Sequence, residues 1–241
     1  MPSPATAYTS WGASRSRVDR AGRALRGYWV APKLLDPETD EAFNLAWRFR
    51  AEFQIPLTKV VMGIRSFVNT EGAPVVVAQR LKRMPTILDK LARHPAMQLT
   101  RMQDIGGCRA ILPSGGFRYI DGIRARMRLR DWAIIEEYDY IAAPKLTGYR
   151  GVHVVVLRDN RLIEVQLRTD QQHRWAETVE RLGSRSGFNL KDGQGPDELL
   201  RYLERAAYGI DLTERGIALP TGFREEFAQL TSRAQPFLVG R

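Results

Sequence analysis

Cysteine is almost absent from this chain: Cys108 is the only one among 241 residues. An internal disulfide is therefore excluded, and a reducing cytoplasm is the expected setting. Cys108 lies between Gly107 and Arg109 in an apolar run, the position of a small buried filler and not of a nucleophile. Histidine is scarce too, with only His94, His153 and His173. No stretch approaches the roughly 20 apolar residues of a membrane span, and the N-terminus has no long apolar core of a signal peptide. A secreted or integral membrane protein is not expected, and no membrane partner.

Acids are thin where bases are dense. Between residues 80 and 130 the only acids are Asp89, Asp104 and Asp121, against a long series of arginines and lysines. The first 33 residues set Arg15, Arg17, Arg20, Arg23, Arg26 and Lys33 against Asp19 alone. The net charge of +10 predicts attraction to polyanions without specifying a fold. A soluble face of an arginine-rich protein would look the same; a nucleic acid or a multiply phosphorylated ligand is the competing explanation.

The most informative feature that is present lies in RLIEVQLRT. Side chains of an extended strand alternate, so Glu164, Gln166 and Arg168 share one face while Ile163, Val165 and Leu167 share the other. A carboxylate, an amide and a guanidinium in a row fit the solvated side of an amphipathic strand, or a site. Upstream lie QRLKRMPTILDK, MQDIGGCRA and YIAAPKLTGYRGVHVVV. A basic stretch, an acid before a strand, a Gly/Tyr loop and a second acid on a strand make a plausible phosphate-transfer kit.

Along the chain, residues 1 to 14 are rich in Pro, Ser, Ala and Thr and are expected to be mobile. A basic helix is expected through VDRAGRALRGYW. A second, capped by Asp36 or Thr39, would turn Phe43, Ala46, Trp47 and Phe53 inward, and Pro56 would break or kink it. Leu57, Val60, Val61, Ile64, Phe67 and Val68 continue at helical spacing. TILDKLAR reads as a helix, GCRAIL as a strand, GFRYIDGIRARMRL as a helix and WAIIEEYDY as a strand. VHVVVLR and RLIEVQLR flank Asp159-Asn160, a two-residue hairpin signal. DQQHRWAETVERL reads as a helix capped by Asp170, 183 to 195 as a loop, and two helices follow. The expected class is α+β, a mixed central sheet flanked by N- and C-terminal helices. The expected divisions of one globular unit are 1–14, 15–78, 79–182 and 183–241.

Four motifs stand in series: R-x-K-x(3)-[ST]-x(3)-K from Arg80, D-x-x-G-x-R from Asp104, Y-x-x-x-P-K-x-x-G-Y-R-x-x-H from Tyr140 and E-x-Q-x-R-T-x(3)-H-x-W from Glu164. In order and spacing they resemble the RelA/SpoT-type synthetase domain of stringent-response enzymes and small alarmone synthetases, over roughly Trp47 to Glu180. The resemblance implies a nucleotidyltransferase-like fold that moves the β,γ-pyrophosphate of ATP to a 3′-hydroxyl and releases AMP. It implies that Arg80, Lys82, Thr86, Lys90 and Arg109 hold ATP, and that Asp104 and Glu164 serve catalysis and bind Mg2+. Glu164 would orient or deprotonate the attacking hydroxyl. Lys145, Tyr149, His153, Gln166 and Arg168 would serve the acceptor, with Tyr149 stacking on its base; His173 would support the site and Trp175 belong to the core.

Two acceptors follow from the resemblance. One branch uses GDP or GTP and makes (p)ppGpp. A toxic branch, which this chain resembles more in WRFRAEFQIPL, MQDIGGCRA and GYRGVH, modifies the 3′ CCA end of tRNA and is neutralised by a protein antitoxin. On that reading Arg23, Arg26, Arg124, Arg126 and Arg128 are the expected tRNA surface, and a monomer is expected. Thr147 and Gly151 depart from the Asn and Ser common among alarmone makers. No His-Asp pair is present, so the metal-dependent hydrolase half of the long enzymes is not expected, nor their ribosome-sensing region. A catalytically silent nucleotide- or partner-binding protein is the third reading.

Overall fold

Alternating apolar residues and one two-residue turn organise the centre of the molecule. The computed structural model describes residues 12–32 and 34–238; the segment expected to be mobile lies outside these residues up to position 11. Three helices, α1 (Arg15–Val30), α2 (Pro37–Ala51) and α3 (Gln54–Glu71), lead into β1 (Val76–Leu81) and α4 (Met84–Arg93). Then come β2 (Gly106–Leu112), α5 (Phe117–Leu129), β3 (Ile134–Asp139), β4 (Val152–Arg158) and β5 (Arg161–Thr169), followed by α6 (Asp170–Ser186), α7 (Asp197–Glu214) and α8 (Phe223–Leu238). The five strands form one mixed sheet in the order β1-β2-β5-β4-β3, with β2 and β5 parallel and the other neighbours antiparallel. The class is α+β, as the order of sequence patterns implies.

The two faces of the sheet differ in chemistry. Cys108, Ala110, Val154, Ile163, Val165 and Leu167 are buried against α3 and α5 in the main core. Burial in that core, reinforced by the Glu164 charge, pushes the Cys108 thiol up to about 12, so the residue is an inert filler. The opposite face carries Arg80, Arg109, Glu164, Gln166 and His153, brought side by side by the registers Arg80↔Gly107↔Glu164 and Arg109↔Gln166↔His153. A second core of Trp175, Val179, Leu182, Leu199, Leu203 and Ala207 joins α6, α7 and α8.

Several local expectations are met and others corrected. Asp36 caps α2, accepting from Thr39 N at 2.7 Å, and Pro56 stands in the first turn of a new helix, where its missing N–H costs little. Trp47 does not face inward: it is 48% exposed, with the Arg50 guanidinium 5.2 Å from its ring centroid. The inward stripe of α2 is Ala42, Leu45, Ala46 and Phe49, and Trp47 lies outside it. Thr169, not Asp170, caps α6, through a capping box with Gln172. The half-exposed edge strand β1 has no counterpart among the expected elements.

Candidate active site

The site is assembled where the polar face of the sheet meets α4 and α6. Asp104 precedes β2, and its two oxygens accept from Lys82 Nζ at 2.7 Å and Lys90 Nζ at 2.9 Å. Burial pushes the Asp104 carboxyl up, but the two ammonium groups more than offset it and hold it below its ordinary value. Lys82 leaves the end of β1 and is itself buried. Arg50 of α2 fixes that corner, donating from Nε to the Lys82 carbonyl at 2.6 Å. Asp19 of α1 accepts from Thr100 N and Oγ1, both at 2.9 Å, and so pins the turn before Asp104. Thr86 sits in the first turn of α4, one turn from Lys90.

Across the sheet, both oxygens of Glu164 are also engaged. Oε1 contacts His153 Nδ1 at 2.8 Å, and Oε2 accepts from Gln166 Nε2 at 2.7 Å. The Tyr149 hydroxyl meets the other ring nitrogen of His153. An Nδ1–H donor with Nε2 as acceptor satisfies both contacts. Burial pushes Glu164 up; the His153 and Gln166 contacts outweigh it and keep the carboxyl ionised below its usual range, while Asp104 opposes them.

Three guanidiniums complete the site. Gln166 Oε1 accepts from Arg168 at 3.0 Å and from Arg109 Nε at 3.3 Å. Burial lowers the Arg109 pKa, and the neighbouring charges of Arg168 and Arg80 lower it further, while Glu180 opposes them. Among the described residues no carboxylate lies within ion-pair distance of Arg80, Arg109 or Arg168, and the buried Nε of Arg168 has no hydrogen-bond partner. Glu180 of α6, which is hydrogen-bonded by Lys191, acts on Arg109 and Arg168 only from beyond ion-pair distance, so the repelling guanidiniums keep room for an anion. His173 of α6 lies 3.4 Å from Arg109, and burial with the adjacent guanidiniums lowers its pKa. Trp175 is a core residue, donating to the Leu203 carbonyl at 2.9 Å.

The loop between β3 and β4 closes one end. Tyr149 has the Arg168 guanidinium 4.8 Å from its ring centroid, and the exposed Lys145 ammonium lies 5.4 Å away on the loop. Lys145 also lies 4.6 Å from the ring of Tyr140, which stacks on Tyr138. This tyrosine pair is absent from the expected site residues; the alternation of YDY on a strand would have put both rings on the His153 face.

The expected basic surface is only partly realised. Arg23 is exposed on α1, while Arg26 donates to the Pro95 carbonyl. Arg124, Arg126 and Arg128 do not make a free basic strip. Arg124 pairs with Glu137 and Asp139, Arg126 with Glu71, and Arg128 with Glu137. Moreover α5 covers the apolar side of the sheet, away from Glu164.

Comparison with known proteins agrees with this architecture. Residues 79–182 match the region found in RelA/SpoT proteins. The chain is 29% identical over 191 residues to the GTP pyrophosphokinase YjbM of Bacillus subtilis (strain 168), covering 72% of this chain and 84% of that protein. It is 32% identical over 190 residues to the uncharacterized protein Rv1366 of Mycobacterium tuberculosis, covering 77% of this chain and 64% of the relative, so it spans somewhat less than two thirds of that protein. Its fold is similar to the crystal structure of small alarmone synthetase 1 from Bacillus subtilis bound to its product pppGpp, with a TM-score of 0.56 and 25% identity over 77% of this chain and 96% of that one. The four motifs, the mixed sheet and these likenesses together assign the chain to the RelA/SpoT-type diphosphotransferases.

Proposed function

We propose that the chain transfers the β,γ-pyrophosphate of ATP to the 3′-hydroxyl of a guanosine nucleotide, GDP or GTP, and releases AMP. The observation that carries this reading is the set of unpaired guanidiniums, Arg80, Arg109 and Arg168, facing two ionised carboxylates on one side of the sheet. Likeness to a GTP pyrophosphokinase and to a pppGpp-bound synthetase supports the guanosine acceptor.

In this mechanism Arg80, Lys82, Thr86, Lys90 and Arg109 hold the donor phosphates, whose oxygens gather negative charge in the transition state. Glu164 orients the acceptor hydroxyl and takes its proton as that oxygen bonds to the β-phosphorus. The bond from the β-phosphorus to the α–β bridging oxygen breaks, and AMP departs. Tyr149 and Lys145 receive the acceptor base, while Gln166, Arg168 and His153 hold Glu164 and the acceptor in register. Asp104 and Glu164 are hard oxygen donors that would hold Mg2+, which favours one or two carboxylates plus substrate phosphates, with Lys82 and Lys90 turning from Asp104 to the donor phosphates. When bound there, the ion neutralises phosphoryl charge.

A second acceptor, the 3′ CCA end of tRNA with a protein antitoxin as regulator, is favoured by the exposed Arg20 and Arg23 on α1. It ranks below the nucleotide because the α5 arginines are consumed by ion pairs on the far side of the sheet. One assay separates the readings: protein, Mg2+ and ATP labelled at the γ-phosphate, with GDP, GTP or deacylated tRNA in parallel. Label on the guanosine nucleotides supports the proposal. Label on tRNA alone, lost with its 3′ adenosine, overturns the guanosine acceptor.

A further inference from the structure

The acceptor loop is anchored on α7, a helix outside the matched region 79–182, and the anchors flank Tyr149 on both sides. On one side is Gly148, with φ of +87°; a Cβ there would come within 2.9 Å of the Glu204 Cα and 3.0 Å of the Ala207 Cβ. The loop backbone thus lies directly on the helix, and only glycine combines that approach with that conformation. On the other side Arg150 Nε lies 3.5 Å from Asp211 Oδ1, with the two side chains 11% and 12% exposed. The contact is an ion pair without a hydrogen bond at Nε, which has no other partner. Arg150 also donates from Nη1 to the Gly148 carbonyl at 3.3 Å, tying the two anchors together. Asp211 is held from one turn below by Arg215 Nε at 3.0 Å.

We propose that α7 sets the position of the acceptor loop, with Asp211 as a positioning residue that acts on Tyr149 through Arg150. The inference rests on the acceptor-loop reading given above. A loop that presents an aromatic platform must hold it at fixed height over the reacting hydroxyl, and a buried charge pair beside a close backbone contact supplies that rigidity. Acceptor choice on this scaffold is then governed in part from 183–241, by side chains that touch no substrate.

The test compares the full chain with its Asp211→Asn variant and with Asp211→Glu as the conservative rescue. Hydrogen–deuterium exchange over 144–151, without ligand, is measured beside separate Michaelis parameters for ATP and GDP. In Asp211→Asn the loop should exchange faster and the GDP KM rise about tenfold or more. The ATP KM and the kcat at saturating GDP should stay within about twofold. Asp211→Glu should recover most of the GDP affinity. Unchanged exchange in Asp211→Asn, or equal losses for ATP and GDP, would overturn the proposal. If Asp211→Asn does not fold, Ala207→Val, which crowds Gly148 while leaving the ion pair intact, must give the same split. A wild-type protein that transfers nothing to GDP refutes the function proposed above, and the exchange measurement still decides whether Asp211 holds the loop.

Discussion

His153 Nδ1 lies 2.8 Å from Glu164 Oε1, and the Tyr149 hydroxyl occupies the other nitrogen of the same ring. The imidazole therefore joins the acceptor loop to the carboxylate assigned as base, and its tautomer is set from both sides. Replacing His153 by alanine should leave Glu164 with one donor in place of two and free its rotamer. We expect kcat to fall about 10- to 100-fold, as for partners that orient a catalytic or metal-bound group. Steady-state kinetics check it, with circular dichroism confirming the fold; a kcat equal to wild type would remove His153 from the machinery.

Asp104 and Glu164 are both held below their ordinary values of 3.8 and 4.5. A carboxyl with a depressed folded-state pKa stabilises the fold above its unfolded value, and that contribution is lost as pH falls through the folded value. Thermal midpoints should therefore be level near neutrality and fall below about pH 4.5. The Asp104→Asn variant should show a shallower acid limb, with a lower midpoint at pH 7 because the buried Lys82 loses its counter-charge. Identical acid limbs in the two proteins would contradict the cause assigned to Asp104.

Gly63 of α3 meets the Trp132 ring so closely that a Cβ would stand 2.4 Å from it. Trp132 also packs on Phe67 at a centroid distance of 5.2 Å, a contact the indole gives up if it moves into the cavity beside it. Gly63→Ala should destabilise the protein by about 1–3 kcal/mol despite the higher helix propensity of alanine. Urea unfolding measures it, and a gain in stability would show that Trp132 moves aside freely.

Charge reversal at Arg20 and Arg23, both exposed on α1, separates the two acceptors. With GDP as acceptor, transfer should be unchanged within about twofold, since rim charges act mainly through long-range steering. A large loss confined to tRNA would favour the second reading, and equal losses for both acceptors would place α1 in the catalytic unit.

The sequence discloses the site in proportion to how local its logic is. Glu164, Gln166 and Arg168 share a face because alternation is a property of any strand, and their neighbours confirm it. The His153–Glu164 contact is legible too: counting back from the Asp159-Asn160 turn puts His153 opposite Gln166, two residues from Glu164 and its next neighbour on the same face. Strand β1 escaped because its burial alternates weakly and its strand character comes from pairing with β2. The arginines of α5 read as an open basic run because Glu71, Glu137 and Asp139, which pair with them, approach only in the folded chain. Arg150 and Asp211 lie far apart in sequence, and no local pattern links them.

The most direct test follows wild type and Glu164→Gln by phosphorus NMR, with ATP, Mg2+ and GDP. Wild type should form AMP and a 3′-diphosphorylated nucleotide in equal amounts. Glu164→Gln should keep the fold and ATP binding while losing about 10²- to 10⁴-fold in rate. ADP as the nucleotide product, or full activity without the Glu164 carboxylate, would contradict a pyrophosphate transfer run by this residue.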